Sequence, residues 1–231
     1  MAEPLVLLPG MMCDARLFAP QIAALSGFRA VQVAPVTGFE TIEEIAAAAL
    51  ADAPPRFALA GLSMGGIVAM EMVRQAPERI TRLALMDTNP LAETEKVAAR
   101  REPQIAAVRD GRLLEVMRDE MKPNYLAPGP GRDGVLSIVM DMALALGPEV
   151  FEEQSRALQT RPDQVETLRA LGVPALVLCG RHDALCPVSR HELMAEIIPD
   201  ATLVIIEDAG HMPTLECPAE TLDALQRWLA G

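Results

Sequence analysis

"AGLSMGGIVAM", residues 60–70, sets one serine among glycines, at the seam between an apolar run and a helix-like run. Gly61-Leu62-Ser63-Met64-Gly65 satisfies G-x-S-x-G, a pattern with meaning where a buried strand turns sharply into a helix. Such a turn holds the serine in a strained backbone conformation. It also crowds together the positions two before and two after, so those positions must lack side chains. Gly61 and Gly65 meet that demand, and Gly66 adds a small residue at the helix start. The pattern alone occurs by chance, so the remainder of the chain decides whether Ser63 is a nucleophile or part of an ordinary turn.

Outward from this stretch, short runs rich in Val, Leu and Ile recur without alternation. They are LVLLPG (5–10), AVQVAPV (30–36), RFALAGL (56–62), RLALMDT (82–88), PALVLCG (174–180) and ATLVIIEDAG (201–210). Strands buried on both faces of a parallel sheet read this way. Helical stretches lie between them: 16–25, 41–53, 64–77, 188–198 and 218–231. Thr41, with Glu44 three residues later, forms a capping box at the start of the second. Strands alternating with helices predict an α/β fold, a doubly wound, mostly parallel sheet of about six strands. Residues 90–165 break the rhythm with helix-like segments such as RLLEVMRDEMKP (112–123), RDGVLSIVMDMALAL (132–146) and PEVFEEQSRALQT (148–160). No strand is evident there. The length favours a helical insertion over one end of the sheet.

Composition bounds the function. The chain has 231 residues, 51% hydrophobic and 3% aromatic, so its core rests on Ala, Leu, Val, Ile and 13 Met. The net charge of −12 argues against nucleic acid and anionic membrane surfaces, which need a positive patch. No basic segment followed by a long apolar stretch opens the chain, and no apolar run reaches about 18 residues. Cys13, Cys179, Cys186 and Cys217 are scattered and read as reduced structural thiols. A metal near CGRHDALC (179–186) is conceivable, but no second pair has zinc-like spacing. The cytoplasm is the expected location, with no metal and no cofactor.

A serine hydroxyl needs a base, an orienting acid and donors for an oxyanion. There are three histidines: His182, His191 and His211. His191 falls in a helical stretch and reads as an exposed helix residue. His182 adjoins an aspartate and reads as a polar loop residue. His211 follows the last strand, at the carboxyl end where ligands bind in such sheets, and is the expected base. Asp183 follows the strand 174–179 and is the expected acid, giving the order Ser63, Asp183, His211. Its rival is Asp87, at the end of the strand RLALMD (82–87). The backbone N–H of Met64 and that of Met11, after Pro9-Gly10, are the expected oxyanion donors.

GLSMGG (61–66), GRHDALCP (180–187) and AGHMP (209–213) together resemble the nucleophile, acid and histidine motifs of the α/β-hydrolase superfamily. GLSMGG is similar to the elbows of its small esterases and enol-lactonases. The resemblance covers nearly the whole chain. It implies a core of residues 1–89 and 166–231, and a helical cap over 90–165 that shapes the acyl pocket. The chain departs from the family twice. Pro9-Gly10 stands where many members have His-Gly, and the antiparallel hairpin that commonly precedes the first strand is missing.

The resemblance implies a serine hydrolase that cleaves carboxylic esters through an acyl-enzyme. Methionines around the proposed centre (Met11, Met64, Met212) and in the cap (Met117, Met121, Met140, Met142) suit a small or medium apolar acyl ester as partner, though each also suits a core. A lactonase, a thioesterase or a carbon–carbon bond hydrolase uses the same triad. A silent ligand receptor on the same scaffold is the alternative outside enzymology.

Overall fold

The computed structural model describes residues 2–121 and 125–231. Six strands, β1 (Leu5–Leu8), β2 (Val31–Val33), β3 (Phe57–Leu62), β4 (Ile80–Met86), β5 (Ala175–Gly180) and β6 (Ala201–Ile206), lie in the order β2-β1-β3-β4-β5-β6. Every described pairing is parallel. The fold is that of an α/β hydrolase.

The continuous apolar runs are explained by burial from both sides. Val6, Leu8, Phe57, Leu59, Leu83 and Leu85 face one core, with α2 (Ile42–Asp52) and α3 (Met64–Gln75). Leu5, Leu7, Ala58, Ala60, Ala84 and Met86 face the other, with α1 (Ala19–Leu25) and α10 (Pro218–Ala230). Burying one such Leu, Val or Phe contributes about 1.5–3 kcal/mol. Phe57→Ala, which leaves a hole at a fully buried site, costs about 3–5 kcal/mol. Thr41 caps α2 as its sequence predicts: its Oγ1 accepts the Glu44 N–H at 3.2 Å.

Between β4 and β5 the described residues form helices and no strand. These are α4 (Glu95–Arg109), α5 (Leu113–Glu115) continuing as a π turn (Val116–Met121), α6 (Arg132–Gln159) and α7 (Val165–Arg169). Lys122 and Pro123, the end of the stretch RLLEVMRDEMKP, lie outside the described residues. The helix α6 passes for a membrane span by length and mean hydropathy. It is broken at Gly147, where φ is 85° and ψ 178°. The following Pro148 disfavours helical backbone at Gly147 and removes an N–H, so two shorter segments result, as the sequence reads them. α8 (Val188–Ile197) and α9 (Pro213–Glu216) complete the chain.

β1 is flanked by β2 on one side and β3 on the other, so the connections reverse direction between β1 and β3. A crevice opens at the carboxyl ends of the strands at such a point. The loop Pro9–Met12 leaves β1 there, and Ser63 leaves β3.

Candidate active site

Ser63 ends β3 and caps α3 with φ 56° and ψ −118°. A non-glycine residue held there costs about 1–3 kcal/mol, and its surroundings must enforce it. They do so by sterics and hydrogen bonds. A Cβ on Gly61 would lie 2.2 Å from the Gly65 carbonyl oxygen, and a Cβ on Gly65 would lie 2.0 Å from that of Leu8. The Ser63 N–H donates to the Met86 carbonyl at 2.9 Å, and the Thr88 hydroxyl donates to the Ser63 carbonyl at 2.8 Å. Nothing in the local sequence signalled Thr88.

Ser63 Oγ stands 2.9 Å from His211 Nε2, and His211 Nδ1 stands 2.7 Å from Asp183 Oδ2. The structure therefore joins three residues separated by up to 148 positions into one hydrogen-bonded chain. Asp183 Oδ1 accepts the N–H groups of Leu185 (2.8 Å) and Cys186 (3.0 Å), which fixes the carboxylate plane. Burial pushes the Asp183 pKa up. The His211 imidazole and the two N–H donors outweigh it and hold the carboxyl below its usual value. His211 is fixed by its own backbone too: its N–H donates to the Tyr125 carbonyl at 2.6 Å. The Tyr125 ring meets the imidazole edge-on, 5.3 Å between centroids. Glu216, at the end of α9, accepts from Gly210 and Met212 on either side of His211, and from Ala127 of the helical cover.

Asp87 is also buried at this centre, but it does not reach His211. Its Oδ1 accepts the Gly180 N–H at 2.9 Å. Burial, and then the charge of Asp183, push its pKa well above the usual value. A neutral Asp87 beside an ionised Asp183 is the ordinary outcome for two crowded carboxyls.

The expectation for His191 is corrected. Instead of facing solvent, it is fully buried. Its Nε2 accepts the Thr88 N–H at 3.1 Å, which leaves the proton on Nδ1, 3.4 Å from the Pro187 carbonyl. Burial lowers its pKa to about 4, so the ring is neutral near pH 7. α8 packs its His191 face under the loop after β4, and periodicity alone does not reveal which face a short helix buries. His182 is an exposed loop residue.

The β1 loop lies against the serine: a Cβ on Gly10 would be 3.3 Å from Ser63 Cβ. Met12 has φ 56° and its N–H is held at 2.8 Å by Gln154 of α6. The loop after β1 therefore lies beside Ser63, and Met11 and Met64 both line the cavity over it. A cavity of about 370 Å³ opens over Ser63 and His211. Met11, Met64, Ile67 and Leu158 give it an apolar floor, while Arg101, Arg161, Arg190 and Glu93 form a charged wall. The methionines divide: Met11, Met64 and Met121 line the cavity, Met140 is partly buried, and Met117, Met142 and Met212 are fully buried core.

Asp183, Cys186 and His211 place potential ligand atoms within 4.8 Å of one another. They do not suit a metal. Asp183 and His211 are spent on each other, and burial holds the Cys186 thiol well above its usual pKa, protonated. Cys179, on β5, is likewise pushed up to about 12.

Comparisons with known proteins agree with this geometry. The model of a family described as "Alpha/beta hydrolase family" matches residues 5–224. The chain is 24% identical over 255 residues to a pimeloyl-[acyl-carrier protein] methyl ester esterase of Aliivibrio salmonicida, covering 97% of this chain and 91% of that protein. An esterase of the same designation from Aromatoleum aromaticum is 28% identical, over 78% of this chain and 76% of its own. Among solved structures, a thermophilic esterase of Thermogutta terrifontis, with malate bound, superposes with a TM-score of 0.91 at 29% identity. It covers 100% of this chain and 90% of that one. The enol-lactonase of Burkholderia xenovorans LB400, at 24% identity and TM-score 0.88 over 100% and 91%, shares the fold.

Proposed function

We propose that this chain, which belongs to the α/β-hydrolase family, hydrolyses carboxylic esters through an acyl-enzyme on Ser63. The observation that carries this reading is the hydrogen-bonded chain Ser63–His211–Asp183, with Ser63 and His211 lining a cavity of about 370 Å³. The relatives named as methyl ester esterases support it.

In this mechanism His211 Nε2 takes the Ser63 proton as Oγ attacks the ester carbonyl. Asp183 holds the imidazole with its other proton on Nδ1 and stabilises the imidazolium that forms. The N–H groups of Met64 and Met11 receive the oxyanion, and loss of one such donor typically costs about 2.7–4 kcal/mol. His211 then gives its proton to the departing alcohol. Water repeats the sequence on the acyl-enzyme and releases the acid. The helical cover over 90–165 acts as a cap that excludes bulk water and shapes the pocket. The apolar floor and the modest volume favour small to medium acyl groups.

The test is steady-state hydrolysis of p-nitrophenyl esters from acetate to laurate, with Ser63→Ala alongside. Wild type should favour the shorter chains, and the folded variant should lose at least about 10⁴-fold in kcat. A fluorophosphonate should label wild type at Ser63. A folded Ser63→Ala protein that kept most of its activity would refute the mechanism, and absence of labelling would favour a silent receptor.

A further inference from the structure

The wall of the cavity holds positive charge that the proposed ester chemistry does not use. Arg101, Arg161 and Arg190 line it, with Glu93 as the carboxylate among them. Glu93 Oε2 accepts from Arg101 at 2.9 Å and its Oε1 from Arg161 at 3.2 Å. Both ion pairs are withdrawn from water: the side chains of Arg161 and Glu93 are 9% and 7% exposed. Arg190 has no carboxylate partner among the described residues.

A guanidinium carries five N–H donors. Apart from the bond to Glu93, the described donation from Arg101 is a long contact of 3.9 Å to Met11 Sδ. Among the described residues Arg161 donates to Glu93 alone. The Nε atoms of both are buried without a hydrogen-bond partner. Buried polar groups are ordinarily satisfied, and arginine is always charged. A protein of net charge −12 has thus gathered three guanidiniums against one carboxylate at the mouth of its reacting centre. Two further carboxylates lie outside this lining: Asp183 is bonded to His211, and Glu216 accepts the N–H groups of Gly210 and Met212. Clefts lined by one sign of charge concentrate ligands of the other.

We propose that this wall is a carboxylate subsite, and that the ester taken by Ser63 carries a free carboxylate a few bonds from the scissile carbonyl. This rests on the esterase reading above. Arg161 and Arg101, held in place by Glu93, present the planar fork that pairs with a carboxylate. Arg190 closes the site from α8. The apolar floor receives the methylenes between the carboxylate and the carbonyl. The Met11 contact of Arg101 ties the subsite to the loop after β1, so the anion and the carbonyl are placed together.

The experiment compares monomethyl adipate with its neutral isostere, methyl 6-methylheptanoate. A second pair puts the carboxylate on the alcohol side: 5-acetoxypentanoate against 5-methylhexyl acetate. Hydrolysis is followed by pH-stat. Wild type should prefer the anionic member of at least one pair by about tenfold or more in kcat/KM, mainly through KM. Arg161→Met and, separately, Arg190→Met should lower that preference several-fold. Among the described residues Arg190 makes no ion pair, so its variant keeps the test open where Arg161→Met folds poorly. Equal or better hydrolysis of both neutral esters, lost in Ser63→Ala, would overturn the subsite and leave the esterase reading standing. Hydrolysis of none of the four, with no fluorophosphonate labelling, would remove both.

Discussion

The sheet end that carries Ser63 and the helical cover above it are built on different principles. At the sheet end, backbone lies against backbone. Gly65 has no room for a methyl group beside Leu8, and Gly180 none beside Gly210, where a Cβ would lie 2.0 Å from the carbonyl oxygen. In the cover, long side chains meet in direct, partly exposed ion pairs. Arg109 with Glu152 and Arg156 with Glu102 are ion pairs there. Exposed pairs of that kind contribute little to stability. The contrast separates two kinds of construction: the first region fixes atoms by backbone contact, and in the proposed mechanism the second would shape what reaches them.

The sharpest way to break this comparison is one methyl group in each region. Gly65→Ala should cost more than about 4 kcal/mol, most of a typical domain's stability, and yield little soluble protein. Gly134→Ala, in the first turn of α6 with nothing within 4 Å of the added Cβ, should raise stability by up to about 1 kcal/mol. Thermal melts of the two variants decide it. A well-folded Gly65→Ala protein would show that the elbow is looser than its contacts imply.

Next in size is the acid. Asp183→Asn should leave the fold standing but lower kcat on the order of 10⁴-fold, because the amide favours the wrong imidazole tautomer. A loss under about tenfold would mean that another group orients His211.

The same contrast governs what the sequence revealed. Ser63, Gly61 and Gly65 were legible because their constraint spans five consecutive residues. The six strands were legible because burial on both faces leaves unbroken apolar runs. The placement of Asp183 rather than Asp87 on His211 followed from neighbouring loops, and β5 and β6 are indeed neighbours in the sheet. His191 was misread because its burial depends on a loop 103 residues away. The link from Arg161 to Glu93 spans 68 residues and leaves no periodic trace. Glu216 precedes the helical stretch 218–231 and carries no signal in the sequence, yet its carboxylate takes N–H groups from both sides of His211. Sequence patterns record local sterics and face burial, and they do not record which distant polar groups meet.

Glu216 joins the two regions, so it tests whether they are separable. Its removal should reach both. Glu216→Ala leaves the N–H groups of Gly210, Met212 and Ala127 without their acceptor. We expect a loss of about 2–3 kcal/mol in stability. A displaced His211 should further reduce kcat roughly 10–100-fold with little change in KM. Glu216→Gln, which keeps an acceptor oxygen, should recover much of both. Equal effects on kcat and KM, or no recovery with Gln, would make Glu216 a stability residue alone.

The smallest effect concerns Asp87, the carboxyl that the sheet end buries without using. Its folded pKa is raised, by burial and then by Asp183, above the ordinary unfolded value near 3.8. Below that value both states hold the proton and pH has no leverage. Above it the unfolded chain ionises while the folded protein stays neutral, so stability falls as pH rises, by about 1.4 kcal/mol per unit until the folded group titrates. Asp87→Asn keeps the acceptor for the Gly180 N–H and removes the titration. Asparagine also tolerates the positive φ of 43° at this position, which adds an offset independent of pH. The diagnostic is therefore the slope: the melting temperature of the variant should exceed that of wild type at pH 8, and the gap should close towards pH 4. A gap constant across that range would mean that Asp87 is ionised in the fold. In that case the sheet end would hold two charged carboxylates side by side, and the division between a rigid neutral backing and a charged, selective cover would fail at its centre.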